Sequence, residues 1–268
     1  MDAPRSRIHR FALSRCLHQW SANENWLAYC LLPHTFGIYH LEGDLVSVTA
    51  FISPAPARAA SSSQRLFGRL ELAGHQVVAF LMLVAASPLL LAITLLVWQA
   101  GGAPIFFGHY RVGRDGRLFR CLKFRTMRVD AEQALAHLLS TDPAARAEWQ
   151  RDQKLARDPR ITPIGGILRK TSLDELPQLI NVLRGEMCFV GPRPVTPVEL
   201  MRYGAVRWHY VSVTPGITGL WQVSGRNRTT YDQRVALDKQ YVETRNLWRD
   251  LVILARTVRV VLTGHGAA

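Results

Sequence analysis

Acidic side chains are scarce in this sequence. Its 268 residues hold 20 Asp and Glu against 33 Lys and Arg, a formal net charge of +13. That deficit points to an anionic partner: nucleic acid, an anionic membrane surface or a phosphorylated substrate. Cysteine is scarcer still. Cys16, Cys30, Cys121 and Cys188 are scattered without CxxC spacing. They read as reduced, partly buried thiols of a cytosol-facing protein. The nine histidines form no HxxxH or HExxH pattern, so no zinc site is expected. The first thirty residues carry charges and no clean apolar core, so a cleavable signal peptide is not expected either. No internal repeat is present. Aromatic residues are not interleaved with the basic clusters as stacking platforms would be, which counts against nucleic acid.

The length suits one sizeable domain with appendages, or two small domains. Residues 1–52 are mixed, with short apolar stretches (LAYCLL, LVSVTAFI) that could be strands. SPAPARAASSSQ, residues 53–64, has linker composition. A boundary is placed there, giving an N-terminal extension and linker over 1–64 and the main domain over 65–268.

The strongest apolar run, VVAFLMLVAASPLLLAITLLVW, covers Val77–Trp98. Its 22 residues can span a bilayer as a helix. Ser87-Pro88 interrupts it at the centre. The proline lacks an N–H and clashes with the carbonyl four residues back, so the helix should bend or break there. The Ser87 hydroxyl could bond a freed carbonyl. Arg58, Arg65 and Arg69 precede the run; Arg111, Arg114, Arg117, Arg120, Lys123, Arg125 and Arg128 follow it. Positive charge stays on the cytoplasmic side, and here both flanks are basic. A re-entrant helix over about residues 73–100, kinked at Ser87-Pro88 and returning to the same face, satisfies both flanks. A spanning helix with a proline kink and a buried core helix are the alternatives.

YRVGRDGRLFRCLKFRTM reads as a hairpin, with Asp115-Gly116 in a tight primed turn. AEQALAHLL is helical, and TDPAARAEWQRDQKLARDPR is a helix followed by a loop. ITPIGGILRKTS reads as a loop with two glycines. LPQLINVLRG is a helix stopped by Gly185. The tail from Tyr231 is two helices. In the second, Leu247, Leu251, Leu254, Val258 and Val261 share a face, with Arg249, Arg256 and Arg259 clustered on the other. That apolar face either packs on a core or lies in a membrane interface.

Asp174 and Glu175 stand in RKTSLDELPQL. The plain reading is a capping box, with Ser172 as N-cap and Glu175 three residues on. Pro177 argues against that register, because proline is comfortable only in a helix's first turn. A helix starting near Asp174 would place both acids at its positive end, which favours ionised carboxylates and bound phosphate. The surroundings raise the chemical reading. Arg169 and Lys170 lie just upstream; Arg193 is fixed between prolines in GPRP; Arg226 lies in SGRN; Lys123 and Arg125 lie in KFRTM. Several cations near glycine-bearing loops suit recognition of more than one phosphate. Adjacent carboxylates beside phosphates suit one nucleophile and one Mg²⁺ ligand, with substrate phosphates completing the metal shell.

KFRTM, DPRITPIGGILRKTSLDELPQLINVLRGEM, VGPRP, PGITGLWQVSGRN and the Tyr231–Leu262 tail together resemble the bacterial sugar transferases that act on polyprenyl phosphate, the monotopic phosphoglycosyl transferases. The resemblance covers about residues 65–265. It implies an α+β, mostly helical, membrane-associated domain with a re-entrant helix broken at Ser87-Pro88, a small β-hairpin and amphipathic interfacial helices. It implies transfer of a sugar-1-phosphate from a UDP-sugar to undecaprenyl phosphate, with release of UMP, at the cytoplasmic face of the bacterial inner membrane. By the same resemblance Asp174 is the nucleophile that forms a covalent phosphosugar intermediate, Glu175 binds Mg²⁺ and Arg169 holds polyprenyl phosphate. Lys123, Arg193 and Arg226 fall in family motifs near the site, and Arg125 shares the KFRTM block with Lys123. GLWQVSGRN looks most like members using UDP-glucose or UDP-galactose. The first sixty residues depart from the family pattern, resembling neither the spanning helices of large members nor the short start of minimal ones.

The expected activity is thus the first step of exopolysaccharide, capsule or O-antigen type assembly. Inner-membrane lipids are partners, nucleic acid is not, and self-association is compatible with the sequence. Two other readings stand beside it: a phosphatase or pyrophosphatase on the same lipid, and a non-enzymatic, membrane-tethered basic scaffold.

Overall fold

The first described element is the apolar helix. The computed structural model describes residues 62–152, 155–225 and 229–263, all within one compact unit. The strand-like stretches before residue 53, most of the 53–64 linker, and Arg226 lie outside the described residues. Helix α1 spans Ser62–Gly101 and so begins inside the stretch read as linker. It winds through Ser87-Pro88 as one element. Ser87 Oγ donates to Val84 O at 2.7 Å. That carbonyl is the one left without its helical donor by Pro88. The segment Leu70–Gly101 is long and apolar enough to cross a membrane.

Among the described side chains of α1, one stripe is packed. Ala79 joins Phe119, Cys121, Val182 and Met187 in one core cluster. Further along, Ile93 and Val97, flanked by Leu90, join Phe124 and Leu168 in another. The Gln76 amide donates to Leu183 O at 2.9 Å. At the far end the Arg125 guanidinium donates to Gly102 O at 2.8 Å. Val77, Phe80, Leu81, Val84, Leu91, Leu95 and Trp98 remain exposed.

The hairpin forms as the sequence predicts. Strands β1 (Phe106–Val112) and β2 (Leu118–Phe124) pair antiparallel. Asp115 has φ 58° and Gly116 φ 75°, and Arg117 N–H donates to Arg114 O at 3.2 Å. Positive φ at both central residues is what a primed turn demands. Helices α2 (Ala131–Thr141) and α3 (Pro143–Asp152) follow.

Residues 163–171 depart from the expected loop. Pro163–Thr171 is a helix, α4, with Pro163 in its first turn and Thr162 as N-cap accepting from Gly165 N–H. The glycine that looked like a loop signal has a packing reason instead. A methyl on Gly165 would lie 2.0 Å from Thr126 O. Ser172, at φ 58°, closes α4. A 3-10 turn, Leu173–Glu175, then leads into α5, Gln178–Leu183. Gly185, at φ 75°, stops α5 as expected.

Asn181 on α5 is fully buried and locks the hairpin to this segment. Its Oδ1 accepts from Leu122 N–H at 2.9 Å, and its Nδ2 donates to Arg120 O at 2.7 Å and to Glu186 Oε2 at 2.6 Å. Asn181→Leu should destabilise the fold by about 2–5 kcal/mol, because it orphans buried backbone groups. Thermal unfolding of the purified protein checks this, with a melting point lower by several degrees.

Beyond α5, strand β3 (Cys188–Val190) pairs in parallel with β4 (Gly216–Thr218). Between them lie the short helices α6 (Pro197–Met201) and α7 (Arg207–Val211); α8 (Leu220–Val223) follows β4. The tail forms α9 (Tyr231–Thr244) and α10 (Leu247–Thr263). Among the described residues, the core face of α10 shares only Leu254 with the face that periodicity singles out. Ile253 and Leu254 pack on Val190, Leu220 and Tyr241. Thr257 Oγ1 lies 2.7 Å from Thr218 Oγ1. Leu247, Trp248, Leu251 and Val258 are exposed. The helix therefore has a packed face, an exposed apolar face and an arginine face.

Candidate active site

The two acids do not occupy the first turn of an α-helix. Asp174 and Glu175 lie in the 3-10 turn, and Ser172, left-handed and without a side-chain cap bond, forms no capping box. The α-helix proper begins only at Gln178. The nearest opposite charge comes from the hairpin. Lys123 Nζ, on β2, stands 2.6 Å from Glu175 Oε1 and 3.5 Å from Asp174 Oδ2. Arg193 Nη1 stands 3.8 Å from the same Glu175 oxygen.

Asp174 is only 7% exposed. Burial pushes its carboxyl above the usual range, Lys123 pulls it down and Glu175 pushes it up again; the net direction is upward. Arg169 also lowers it, from a position fixed by its own bond to Thr126 Oγ1 at 2.9 Å. Thr126 O in turn accepts from Thr162 N–H at 3.0 Å, so the KFRTM segment and α4 hold each other.

Arg193 is aimed by backbone. Gly191 N–H donates to Thr218 O at 2.8 Å, and Gly216 N–H to Pro192 O at 2.9 Å. These two glycine amides are spent on backbone pairing. The Arg193 guanidinium lies 5.9 Å from the centre of the Trp221 ring, and that of Arg234 lies 4.5 Å from the same ring.

The structure thus gathers Lys123, Asp174, Glu175 and Arg193 directly, with Arg169 as an electrostatic neighbour. Arg125 plays another part. It is buried, and the bond it makes is to Gly102 O at the end of α1. Behind Arg193 lies a buried network that sequence reasoning missed. Arg234 is 8% exposed, and its Nε and Nη2 have no hydrogen-bond partner among the described residues. Glu199 Oε2 accepts from Arg111 at 2.8 Å, and Glu199 Oε1 lies 3.8 Å from Arg234. Tyr203 OH donates to Asp238 Oδ2 at 2.7 Å, and burial raises the Asp238 carboxyl to about 6. A signal was present: TPVE at residues 196–199 is a capping box, with Glu199 Oε2 also accepting from Thr196 N–H at 2.7 Å.

Among the described residues no group of three or more His, Cys, Asp or Glu could hold a metal ion. Asp174 and Glu175 supply carboxylate oxygens only. That small hard donor set fits Mg²⁺, which takes one or two carboxylates and fills its shell with water and phosphate.

Residues 70–264 match the model of the bacterial sugar transferase family. The chain belongs to that family. This bacterial sugar transferase is 53% identical over 206 residues to the "UDP-galactose-lipid carrier transferase" of Erwinia amylovora, covering 77% of this chain and 42% of that protein. It is 48% identical over 190 residues to the "Exopolysaccharide production protein ExoY" of Sinorhizobium fredii, covering 71% and 84%. It is 40% identical over 199 residues to the "UDP-glucose:undecaprenyl-phosphate glucose-1-phosphate transferase" of Caulobacter vibrioides, covering 71% and 69%. The sugar transferase spans about two fifths of the length of several curated relatives it matches.

Proposed function

We propose that this sugar transferase moves a sugar-1-phosphate from a UDP-sugar, UDP-glucose or UDP-galactose, to undecaprenyl phosphate and releases UMP, the first committed step of a surface polysaccharide. The observation that carries the reading is a buried carboxylate, Asp174, beside a second acid and two cations. The relatives' names agree in donor and acceptor class.

In the reaction, an Asp174 oxygen attacks the β-phosphorus. The bond from that phosphorus to the bridging oxygen breaks, and UMP leaves with the electron pair. A phosphate oxygen of the lipid then attacks the phosphorus of the aspartyl phosphosugar, and Asp174 departs as carboxylate. Lys123 and Arg193 bind the donor phosphates. Arg169, held by Thr126, takes the lipid phosphate. Mg²⁺ on Glu175 would neutralise charge developing on the leaving phosphate. Burial of Asp174 strips water from the nucleophile and slows hydrolysis of the intermediate.

The membrane placement follows the same line. Ala79 and Val97, towards opposite ends of the apolar run, both pack on the one globular body. A spanning helix would carry one end to the far side of the bilayer, roughly 30 Å away. Support therefore favours re-entry, with the body on the cytoplasmic face. The exposed apolar face of α10 suits the interface, with Arg256 and Arg259 toward lipid phosphates. Cysteine labelling at residues 70 and 102 should find both ends on the cytoplasmic side; opposite sides would end the re-entrant reading. UMP release over a panel of UDP-sugars with undecaprenyl phosphate tests the activity. Lipid-linked sugar is the expected product, and free sugar phosphate would mean a phosphatase instead.

A further inference from the structure

Lys123 holds both acids at once. Its ammonium lies 2.6 Å from Glu175 Oε1 and 3.5 Å from Asp174 Oδ2, and Arg193 reaches the same Glu175 oxygen at 3.8 Å. A divalent cation seeking that oxygen meets two positive charges already on it. The two cations differ in freedom. Arg193 follows a backbone pinned by the Gly191–Thr218 and Gly216–Pro192 bonds. Lys123 ends a flexible four-carbon stem and is 29% exposed at the side chain, so its ammonium can swing. A diphosphate offers it more negative charge and more acceptor oxygens than a carboxylate does.

We infer that Lys123 is an exchange residue: it occupies Glu175 in the free enzyme and hands that carboxylate to the divalent cation when a diphosphate draws the ammonium away. This rests on the function proposed above and adds a coupling to it. Donor and metal then bind as a linked pair, each tightening the other by the same factor, about tenfold for a coupling of ordinary size. The arrangement also keeps the Asp174 nucleophile paired until a donor is present.

The test uses Mn²⁺ as a spectroscopic probe on the full-length, detergent-solubilised protein. Mn²⁺ affinity is measured with and without UDP, after correction for the Mn²⁺–UDP complex in solution. Wild-type protein should bind Mn²⁺ about tenfold more tightly with UDP present. Lys123→Met should bind Mn²⁺ more tightly than wild type without UDP and lose most of the UDP effect. Lys123→Gln is measured in parallel, with thermal melts on both, so that the answer does not hang on one variant's folding. Weaker or unchanged Mn²⁺ binding in a folded Lys123 variant overturns the exchange. Absence of Mn²⁺ binding in every protein, with or without UDP, overturns the metal reading of the site, and the exchange falls with it. Lipid-linked sugar formed by wild type in chelator would overturn the metal reading independently.

Discussion

Asp174→Asn should abolish sugar-phosphate transfer, by at least about a thousandfold, and leave the protein at least as stable as before. The two effects have one cause. Asp174 is buried, and burial raises its carboxyl against the pull of Lys123. A carboxyl whose folded value is raised favours the folded state while protonated. That contribution is complete below the ordinary carboxylate range, near 3.9, and is lost as pH climbs through the raised folded value. As pH climbs through that raised value the wild type comes to carry the cost of an ionised, buried Asp174. Asparagine keeps the shape and escapes that cost. On the proposed mechanism activity runs the other way, since only an ionised carboxylate can attack phosphorus. The acid limb of kcat/KM should accordingly lie above the ordinary aspartate range. Acid-quenched protein, incubated with UDP-sugar alone, should carry the mass of one phosphosugar. Asp174→Asn should show none. On the proposed mechanism Glu175→Gln should be slow yet still form the adduct, because it would remove the metal ligand and leave the nucleophile. An adduct on Asp174→Asn, or wild-type turnover by it, would move the covalent role elsewhere.

Much of the fold around this site is legible in the sequence because its parts are local. Asp115-Gly116 names its own turn, Gly185 its own helix stop, and Pro177 rules out the capping-box register around Ser172. The parts that are not legible depend on contacts between distant segments. Gly165 and Gly166 look like a loop, yet Gly165 is small because Thr126 O presses on it, and the segment is helical. Arg125 looks like a phosphate ligand, because nothing local reveals that Gly102 O takes its guanidinium. In α10 the periodicity marks an apolar face but cannot say which apolar residues meet protein. Ile253 does so, while Leu247 and Leu251 stay exposed. The network of Arg111, Glu199, Arg234 and Asp238 draws on separate segments, each an ordinary surface charge when read alone.

Gly216→Ala should cost the protein most of its fold, and this glycine is decisive although its backbone is not left-handed. A Cβ built there would lie 2.1 Å from Gly191 N, 2.6 Å from Thr218 O and 2.7 Å from Gly191 Cα. All three obstacles are backbone, so no side-chain rotation relieves them. The reciprocal site is equally tight: a Cβ on Gly191 would lie 2.7 Å from Gly216 N and 2.7 Å from Thr214 O. To admit one methyl, β3 and β4 must move apart. The Gly191 and Gly216 bonds that fix Pro192 then weaken, and Arg193 loses its aim at Glu175. Overpacking of this kind usually costs about 1–3 kcal/mol where side chains can yield. Here they cannot, and a loss of about 4 kcal/mol or more is expected, a large part of a domain's stability. Gly166→Ala is the control, since nothing lies within 4 Å of a Cβ at that position. It should melt within a few degrees of wild type, whereas Gly216→Ala should melt far lower or fail to accumulate. Equal melting of the two variants would refute the backbone clamp as the device that aims Arg193.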